Sequence, residues 1–360
     1  MNNNIHEKYM KLCFELAKKG AGNVNPNPLV GAVIVKDDSI ISTGYHKKYG
    51  SAHAEKNAIY DASVSLSGTT LYCNLEPCMH TNKHTPPCVP AIVSGNIGRV
   101  VIANTDPNKK VNGKGIEILK VVGIEVITGI LEEEGRELNR FYFKFMETGL
   151  PYVTMKIAES LDGKISAKHG MQTWLTGEMS QKYVHTQRSI YDAVLVGANT
   201  VNIDNPKLTV RGVEGRNPIR IVLDANLTSR IDSSVFNDNE SRTIICCLSN
   251  VNAIKKQKLS ESGVELIEFE PDQKNLINLA ELLLKLASMK ITSLLVEGGR
   301  HIFEQFISLE LFDEILILKA PVILGKGVDS VSLEKVENLQ LSKQEHLGHD
   351  ILLTYSKRKS

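Results

Sequence analysis

Cysteine is sparse, with 6 in 360 residues, which argues against a disulfide framework as the scaffold. Long apolar runs are absent: stretches such as Leu29–Val35 and Glu314–Lys319 reach only strand length, so no membrane span is expected. An excess of either charge is also missing. Lys and Arg number 42 against 41 Asp and Glu, a formal net charge of +1, which disfavours a dedicated duplex-nucleic-acid binder. The opening residues, MNNNIHEKYM, contain neither the basic nor the apolar stretch of a secretory signal. What is present is an ordinary hydrophobic fraction of 42%, in a chain long enough for two domains of about 150 residues each. These bounds lead to the expectation of a cytoplasmic, two-domain protein, with neither nucleic acid nor membrane as partner.

Strand-like and helix-like segments alternate along the chain. Ile5, Tyr9, Leu12, Cys13, Leu16 and Ala17 recur at helical spacing over residues 5–19. A Gly-, Asn- and Pro-rich loop, Gly20–Pro28, leads into the predicted strand Leu29–Val35. His53–Ser63 and Cys88–Ser94 read as helices, and Thr69–Leu75, Arg99–Ala103 and Glu125–Thr128 as strands. Strands separated by helices predict a largely parallel α/β sheet. The pattern restarts after Gly149-Leu150-Pro151. Strands are then predicted at Tyr152–Ala158, Ala193–Gly197, Ile219–Asp224, Thr243–Leu248, Val264–Phe269, Ser293–Glu297 and Glu314–Lys319, with a helix over Asn275–Ala287. The expected division is residues 1–147 and residues 148–360.

In the first half, His53-Ala54-Glu55 is followed by Pro77-Cys78 and then by Pro86-Pro87-Cys88. One imidazole and two thiolates suit catalytic Zn²⁺, which keeps a fourth position for water. Glu55, too close to His53 to be needed as a ligand, is placed to carry a proton from water to a leaving amine. Zinc nucleobase deaminases carry His-x-Glu followed by Pro-Cys-x-x-Cys. Here the first half of that pattern is intact, but nine residues separate Cys78 from Cys88. A closed structural zinc site is the alternative, with His80 or His84 as fourth ligand. Cys13, Cys73, Cys246 and Cys247 read as core residues.

Taken together, Asn25-Pro26-Asn27-Pro28-x-Val30-Gly31, Gly44-x-His46, His53-Ala54-Glu55, Leu75-Glu76-Pro77-Cys78 and Thr85-Pro86-Pro87-Cys88 resemble the riboflavin-biosynthesis deaminase/reductase family. That resemblance implies a cytidine-deaminase-like domain fused to a dihydrofolate-reductase-like domain. It implies a deaminase acting on a phosphoribosylated diaminopyrimidinone, with His53, Cys78 and Cys88 on zinc and Glu55 as proton shuttle. Asn27, His46 and His80 would line the substrate pocket, and an amide such as Asn27 can pair with a sugar or base edge without adding charge. The loop between the cysteines is one residue longer than the family's pattern and lacks its glycine. Lys83 or His84 is then expected to supply the basic group before Thr85.

The second half carries Lys156 at a strand end, the single tryptophan Trp174, Asp204-Asn205-Pro206, and Glu297-Gly298-Gly299-Arg300 at a strand-to-helix turn. Glycines at such a turn let backbone N–H groups approach a phosphate. No GxGxxG fingerprint is present, so a conventional dinucleotide fold is not indicated. The segments are similar to the family's reductase half, which implies NADPH as cofactor. Ala158, Trp174, Thr200, Asp204, Gly299 and Arg300 would face it, and Thr173, Arg188, Leu208, Arg211 and Glu297 would face substrate. Arg188 and Arg211 can bind phosphate through the guanidinium fork, and Lys156 and Glu297 are candidates for polarising the sugar atom that takes a proton. The resemblance also implies a homo-oligomer. Two other readings compete: a nucleic-acid-editing zinc deaminase with an accessory domain, and a non-catalytic structural-zinc scaffold.

Overall fold

The helical spacing near the N-terminus folds as Asn3–Lys18 and buries Tyr9, Met10, Cys13 and Phe14 in the computed structural model, which describes residues 3–79, 85–333 and 338–357. Side chains alternate between the faces of a strand. In β1 (Gly31–Lys36), Val33 and Val35 therefore pack with that helix, whereas Ala32 and Ile34 join Ala54, Ala58, Val89 and Ile92 on the opposite face. With β2 (Ser39–Tyr45), β3 (Thr70–Leu75), β4 (Arg99–Asn104) and β5 (Glu125–Thr128), β1 forms a five-stranded sheet in the order β2-β1-β3-β4-β5.

This sheet is mixed rather than largely parallel. β1 runs antiparallel to both β2 and β3, and only β3, β4 and β5 are parallel. The departure lies in β2, whose half-exposed Ser39–Tyr45 carries no buried apolar run. It is joined to β1 by Asp37 and Asp38, both at positive φ (48° and 58°), the conformation of a two-residue hairpin turn.

The chain divides into two compact units, Met1–Gly149 and Leu150–Ser360. The second contains β6 (Tyr152–Glu159), β7 (Lys164–Ser166), β8 (Ala193–Gly197), β9 (Ile219–Leu223), β10 (Thr243–Leu248), β11 (Glu265–Phe269), β12 (Ser293–Gly298), β13 (Glu314–Lys319), β14 (Val328–Asp329), β15 (Leu339–Leu347) and β16 (Asp350–Lys357). Nine of them form one sheet, ordered β11-β10-β9-β8-β12-β6-β13-β16-β15, while β7 and β14 pair separately. Strands β11 through β13 in that order are parallel, and β16 and β15 add an antiparallel edge. β15 is mostly exposed and polar, so no apolar run marks it in the sequence. Its two-residue turn, Gly348-His349, with Gly348 at φ 67°, is what pairs it with β16.

Two apolar layers sandwich the long sheet. Leu282, Leu283, Phe303 and Phe306 pack with Met155, Leu195 and Val296 on one face, and Val201, Leu227 and Phe236 pack with Val194, Val222 and Ile245 on the other. The helix predicted to begin at Asn275 begins at Leu279, because the Asn278 side chain accepts hydrogen bonds from the Ala280 and Glu281 amides and caps it there. β12 returns to lie between β8 and β6, so strand order reverses at this point. Ligand sites of α/β sheets form at such reversals, beyond the carboxyl ends of the strands. No helix among the described residues is long and apolar enough to cross a membrane.

Candidate active sites

In the first unit, His53 is the N-cap of the helix Ala54–Tyr60 and Cys88 the N-cap of Val89–Ser94. Cys78 follows β3, and its carbonyl accepts from both the Cys88 and Val89 amides at 3.0 and 3.2 Å, which brings the cysteines together. His53 Nδ1 lies 3.5 Å from Cys78 Sγ and 3.3 Å from Cys88 Sγ, and the two sulfurs are 3.5 Å apart. Zn–S and Zn–N bonds of about 2.3 and 2.1 Å in a tetrahedron give ligand-to-ligand edges of about 3.5–3.8 Å. The triad fits zinc, and among the described residues no other group of three or more His, Cys, Asp or Glu does. His80, Lys83 and His84 lie outside the described residues.

Glu55 stands in the first turn of the His53-capped helix, 3% exposed, with Oε2 lacking any hydrogen-bond partner among the described residues. Burial pushes its carboxyl above the ordinary value, with His53 opposing and Cys78 adding to the rise. A cavity of about 170 Å³ opens on this group and is lined by Asn27, His46, His53, Glu55 and Cys78. His46 Nδ1 lies 3.1 Å from the Ala52 carbonyl, which can only accept, so that nitrogen carries the proton. In the neutral ring, Nε2 then accepts from Asn27 Nδ2 at 3.1 Å. Asn27 Oδ1 has no partner among the described residues.

In the second unit, a cavity of about 1050 Å³ lies over the carboxyl ends of β6, β8, β9 and β12. β6 supplies Lys156 and Ala158, β12 supplies Glu297 with the following Gly299 and Arg300, and the helix Ala198–Asp204 supplies Thr200 and Asp204. Thr173, Trp174, Arg188, Leu208 and Arg211 complete the set, so every candidate named for this half of the sequence lines one cavity. Gly299, at φ 94°, precedes the helix Arg300–Ser308, and a Cβ there would stand 3.0 Å from Thr200 Oγ1. This bare turn at a helix N-terminus, in a cavity at the upper end of the common 300–1,000 Å³ range (roughly), fits a phosphate-bearing cofactor such as NADPH. Trp174 stands at the rim, 74% exposed.

At the cavity's centre Arg188 donates Nε and Nη2 to Glu297 Oε1 and Oε2 at 2.6 and 2.7 Å. Lys156 Nζ approaches Glu297 Oε2 at 3.4 Å. Burial alone would raise the Glu297 carboxyl, but the charges of Arg188 and Lys156 outweigh it and hold it at about 2. The Arg188 fork, expected to meet phosphate, is engaged in this structure by Glu297, and its Nη1 by the Thr209 carbonyl at 3.2 Å. Glu297 is thus a carboxylate at neutral pH, paired with its two cations.

Comparison with known proteins bears on the whole chain. Residues 3–104 match the family described as the cytidine and deoxycytidylate deaminase zinc-binding region, and residues 151–353 match the RibD C-terminal domain. The chain is 41% identical to the riboflavin biosynthesis protein RibD of Aquifex aeolicus, over 98% of this chain and 99% of that one. It is 40% identical to RibD of Bacillus amyloliquefaciens, over 97% and 96%. Among solved structures, Acinetobacter baumannii RibD superposes with a TM-score of 0.91 at 33% identity, over 99% of this chain and 100% of that one. The deaminase/reductase of Thermotoga maritima gives a TM-score of 0.88 at 38% identity, over 99% of each chain.

The chain belongs to the RibD family. It is thus a bifunctional enzyme of riboflavin biosynthesis, a deaminase and a reductase on one polypeptide, with Zn²⁺ and NADPH as cofactors. An editing deaminase or an inert zinc scaffold is not favoured by matches that span both halves.

The sequence reading of this RibD-family chain missed residues that the fold brings into the sites. Asp106 and Asn108 line the first cavity from just beyond β4, and Asp106 Oδ1 accepts from the Asn108 amide and from Tyr142 Oη at 2.8 and 2.9 Å. Burial is the main cause that pushes the Asp106 carboxyl up to about 6. Its signal was available: Asp106-Pro107-Asn108 follows the carboxyl end of a predicted parallel strand, where α/β sites gather. Glu76 stands in the motif Leu75-Glu76-Pro77-Cys78. Its carboxylate accepts from the amides of Asp106, Gly113, Gly115 and Ile116 at 3.2, 2.8, 2.9 and 3.3 Å, and so ties the cysteine-bearing segment to the Asp106 loop.

Proposed function

We propose that residues 1–147 hydrolyse the amine of 2,5-diamino-6-(5-phosphoribosylamino)pyrimidin-4-one, and that residues 148–360 reduce the ribosyl group of the product to ribityl. The observation that carries the reading is the His53, Cys78 and Cys88 donor triad beside the buried Glu55 carboxylate oxygen, which has no hydrogen-bond partner among the described residues. In the deamination, water adds at the ring carbon and ammonia leaves. Zinc held by the triad supplies Lewis-acid activation of that water. Glu55 takes the water's proton and returns it to the departing nitrogen, and a carboxyl raised by burial suits both transfers. Asn27 presents its amide to the substrate, and His46 holds that amide in place. His80 belongs to the same assignment by motif.

In the reduction, a C–H bond forms at the sugar carbon, its bond to the ring oxygen breaks, and that oxygen takes a proton. NADPH supplies the hydride. Ala158, Trp174, Thr200, Asp204, Gly299 and Arg300 form the wall assigned to it, and Thr173 and Leu208 the wall assigned to substrate. Lys156 is the group assigned to the sugar oxygen, because Glu297 holds it in place and cannot itself donate. Arg211 is left to meet the phosphate, its Nη1 anchored on Thr209 Oγ1 at 3.2 Å. The same reading carries assembly as a homo-oligomer and a cytoplasmic location, which light scattering and fractionation test.

Incubating the purified protein with the diaminopyrimidinone ribosyl phosphate, with and without NADPH, tests both sites by mass spectrometry. Deaminated product alone without NADPH, and its ribityl form with NADPH, is the expected result. A folded, zinc-loaded protein that converts nothing overturns the assignment.

A further inference from the structure

Three histidines, His169, His185 and His301, line the second cavity, and His185 is the one set against two backbone groups at once. His185 sits on the helix Glu178–Ile190, about one turn before Arg188, and lines the same cavity. Its Nδ1 is 3.1 Å from the Thr209 carbonyl oxygen and 3.2 Å from the Arg211 backbone nitrogen. These neighbours make opposite demands, since a carbonyl only accepts and an amide N–H only donates. One ring nitrogen satisfies them one at a time. With Nδ1 bare, it accepts the Arg211 N–H. With Nδ1 protonated, it donates to Thr209 O and releases the Arg211 amide. The Thr209 carbonyl is secured in either state by Arg188 Nη1, so the change falls on Arg211. The segment itself is pinned: Thr209 is wholly buried, and Leu208 is buried at φ 57°.

We propose that His185 is a positioning residue for the reductase substrate: it seats Arg211 before substrate binds, and when the substrate's phosphate arrives it takes up a proton, releases the Arg211 amide and turns to Thr209 O. The inference rests on the reading that Arg211 meets that phosphate. The charges around the ring are Arg188 on its own helix, Arg211 on the segment after Leu208, and Glu297 at the end of β12. In the cavity without substrate, burial and the two arginines keep the imidazole below its ordinary value, against the pull of the Thr209 carbonyl and Glu297. A phosphate dianion at Arg211 offsets the repulsion between the guanidiniums and the ring. The protonated ring then donates through Nδ1 to Thr209 O, and its Nε2, which has no hydrogen-bond partner among the described residues, becomes one more cationic donor in the cavity.

The test uses the full-length, zinc-loaded enzyme with the deaminated ribosyl phosphate and NADPH, from about pH 5 to pH 8. His185→Asn keeps an acceptor near the Nδ1 position and His185→Gln an amide near the Nε2 position, but neither titrates. Ionisation of the phosphate itself acts on all proteins alike, so the ratio of variant KM to wild-type KM isolates the ring. That ratio is expected to be about tenfold near the acid end and to fall toward one at the alkaline end, a charge-assisted bond being worth about that factor. The effect falls on KM rather than kcat. A KM ratio that does not change with pH, in a protein where Arg211→Ala does raise KM, overturns the inference and leaves the phosphate reading standing. An Arg211→Ala variant with unaltered KM overturns both.

Discussion

Glu55 and Glu297 are both buried carboxylates, yet their surroundings give them opposite properties. Glu55 has an oxygen with no partner among the described residues and a carboxyl that burial pushes up, the state needed to pass protons. Glu55→Gln is therefore expected to lower ammonia release by about 10²–10⁴-fold while zinc content, measured by metal analysis, stays at the wild-type value. Glu297 is held at about 2 against an ordinary 4.5, despite its burial, by Arg188 and Lys156. Its folded value is below its unfolded one, so its contribution to stability is complete above about pH 4.5 and is lost as pH falls toward about 2. Urea midpoints measured across that window should decline for the wild type and change less for Glu297→Gln. At neutral pH the variant is expected to lose on the order of 3 kcal/mol, because it leaves Arg188 buried without its counter-charge. The types of residue at both sites were legible in the sequence. Their ionisation was not, because it depends on neighbours as distant as the 109 positions between Arg188 and Glu297.

Elements were legible where their apolar pattern was strong. The fully buried β8 and β10 coincide with their predicted bounds, since both faces of a central parallel strand are covered. β2 and β15 escaped, because an edge strand with a wet face carries no apolar run and is held by hairpin turns at Asp37-Asp38 and Gly348-His349. The loop beyond β4 escaped for a different reason: its order comes from Glu76, a carboxylate that accepts four backbone amides. In Glu76→Gln an N–H₂ group faces donors that need an acceptor, a loss of about 1–3 kcal/mol for each buried amide left unpaired. Because the loop carries Asp106 and Asn108 into the first cavity, that variant should raise KM for deamination while leaving NADPH-dependent reduction of supplied deaminated substrate unaffected. Rate measurements on the two reactions separately would show whether the loop acts in this way.

For the whole molecule, each unit has its own core and its own cavity, so each activity should respond to its own cofactor. Chelating the metal is expected to abolish deamination and to lower the thermal stability of the first unit, by about 4 kcal/mol where zinc had stood at 1,000 times its dissociation constant. Reduction of supplied deaminated substrate should persist, and a parallel loss of both rates would contradict the separation. The zinc donor set was legible in the sequence, since ligand types and spacings are properties of short segments, and the family resemblance those segments carry implied the two chemistries and NADPH. The tertiary structure alone decided which atoms face one another: that Glu297 pairs with the Arg188 fork, that the Arg211 guanidinium rests on Thr209, and that Asp106 joins the first pocket. Those outcomes follow from which strand ends the sheet order brings together, and that order is set by burial across the entire chain rather than by any one motif.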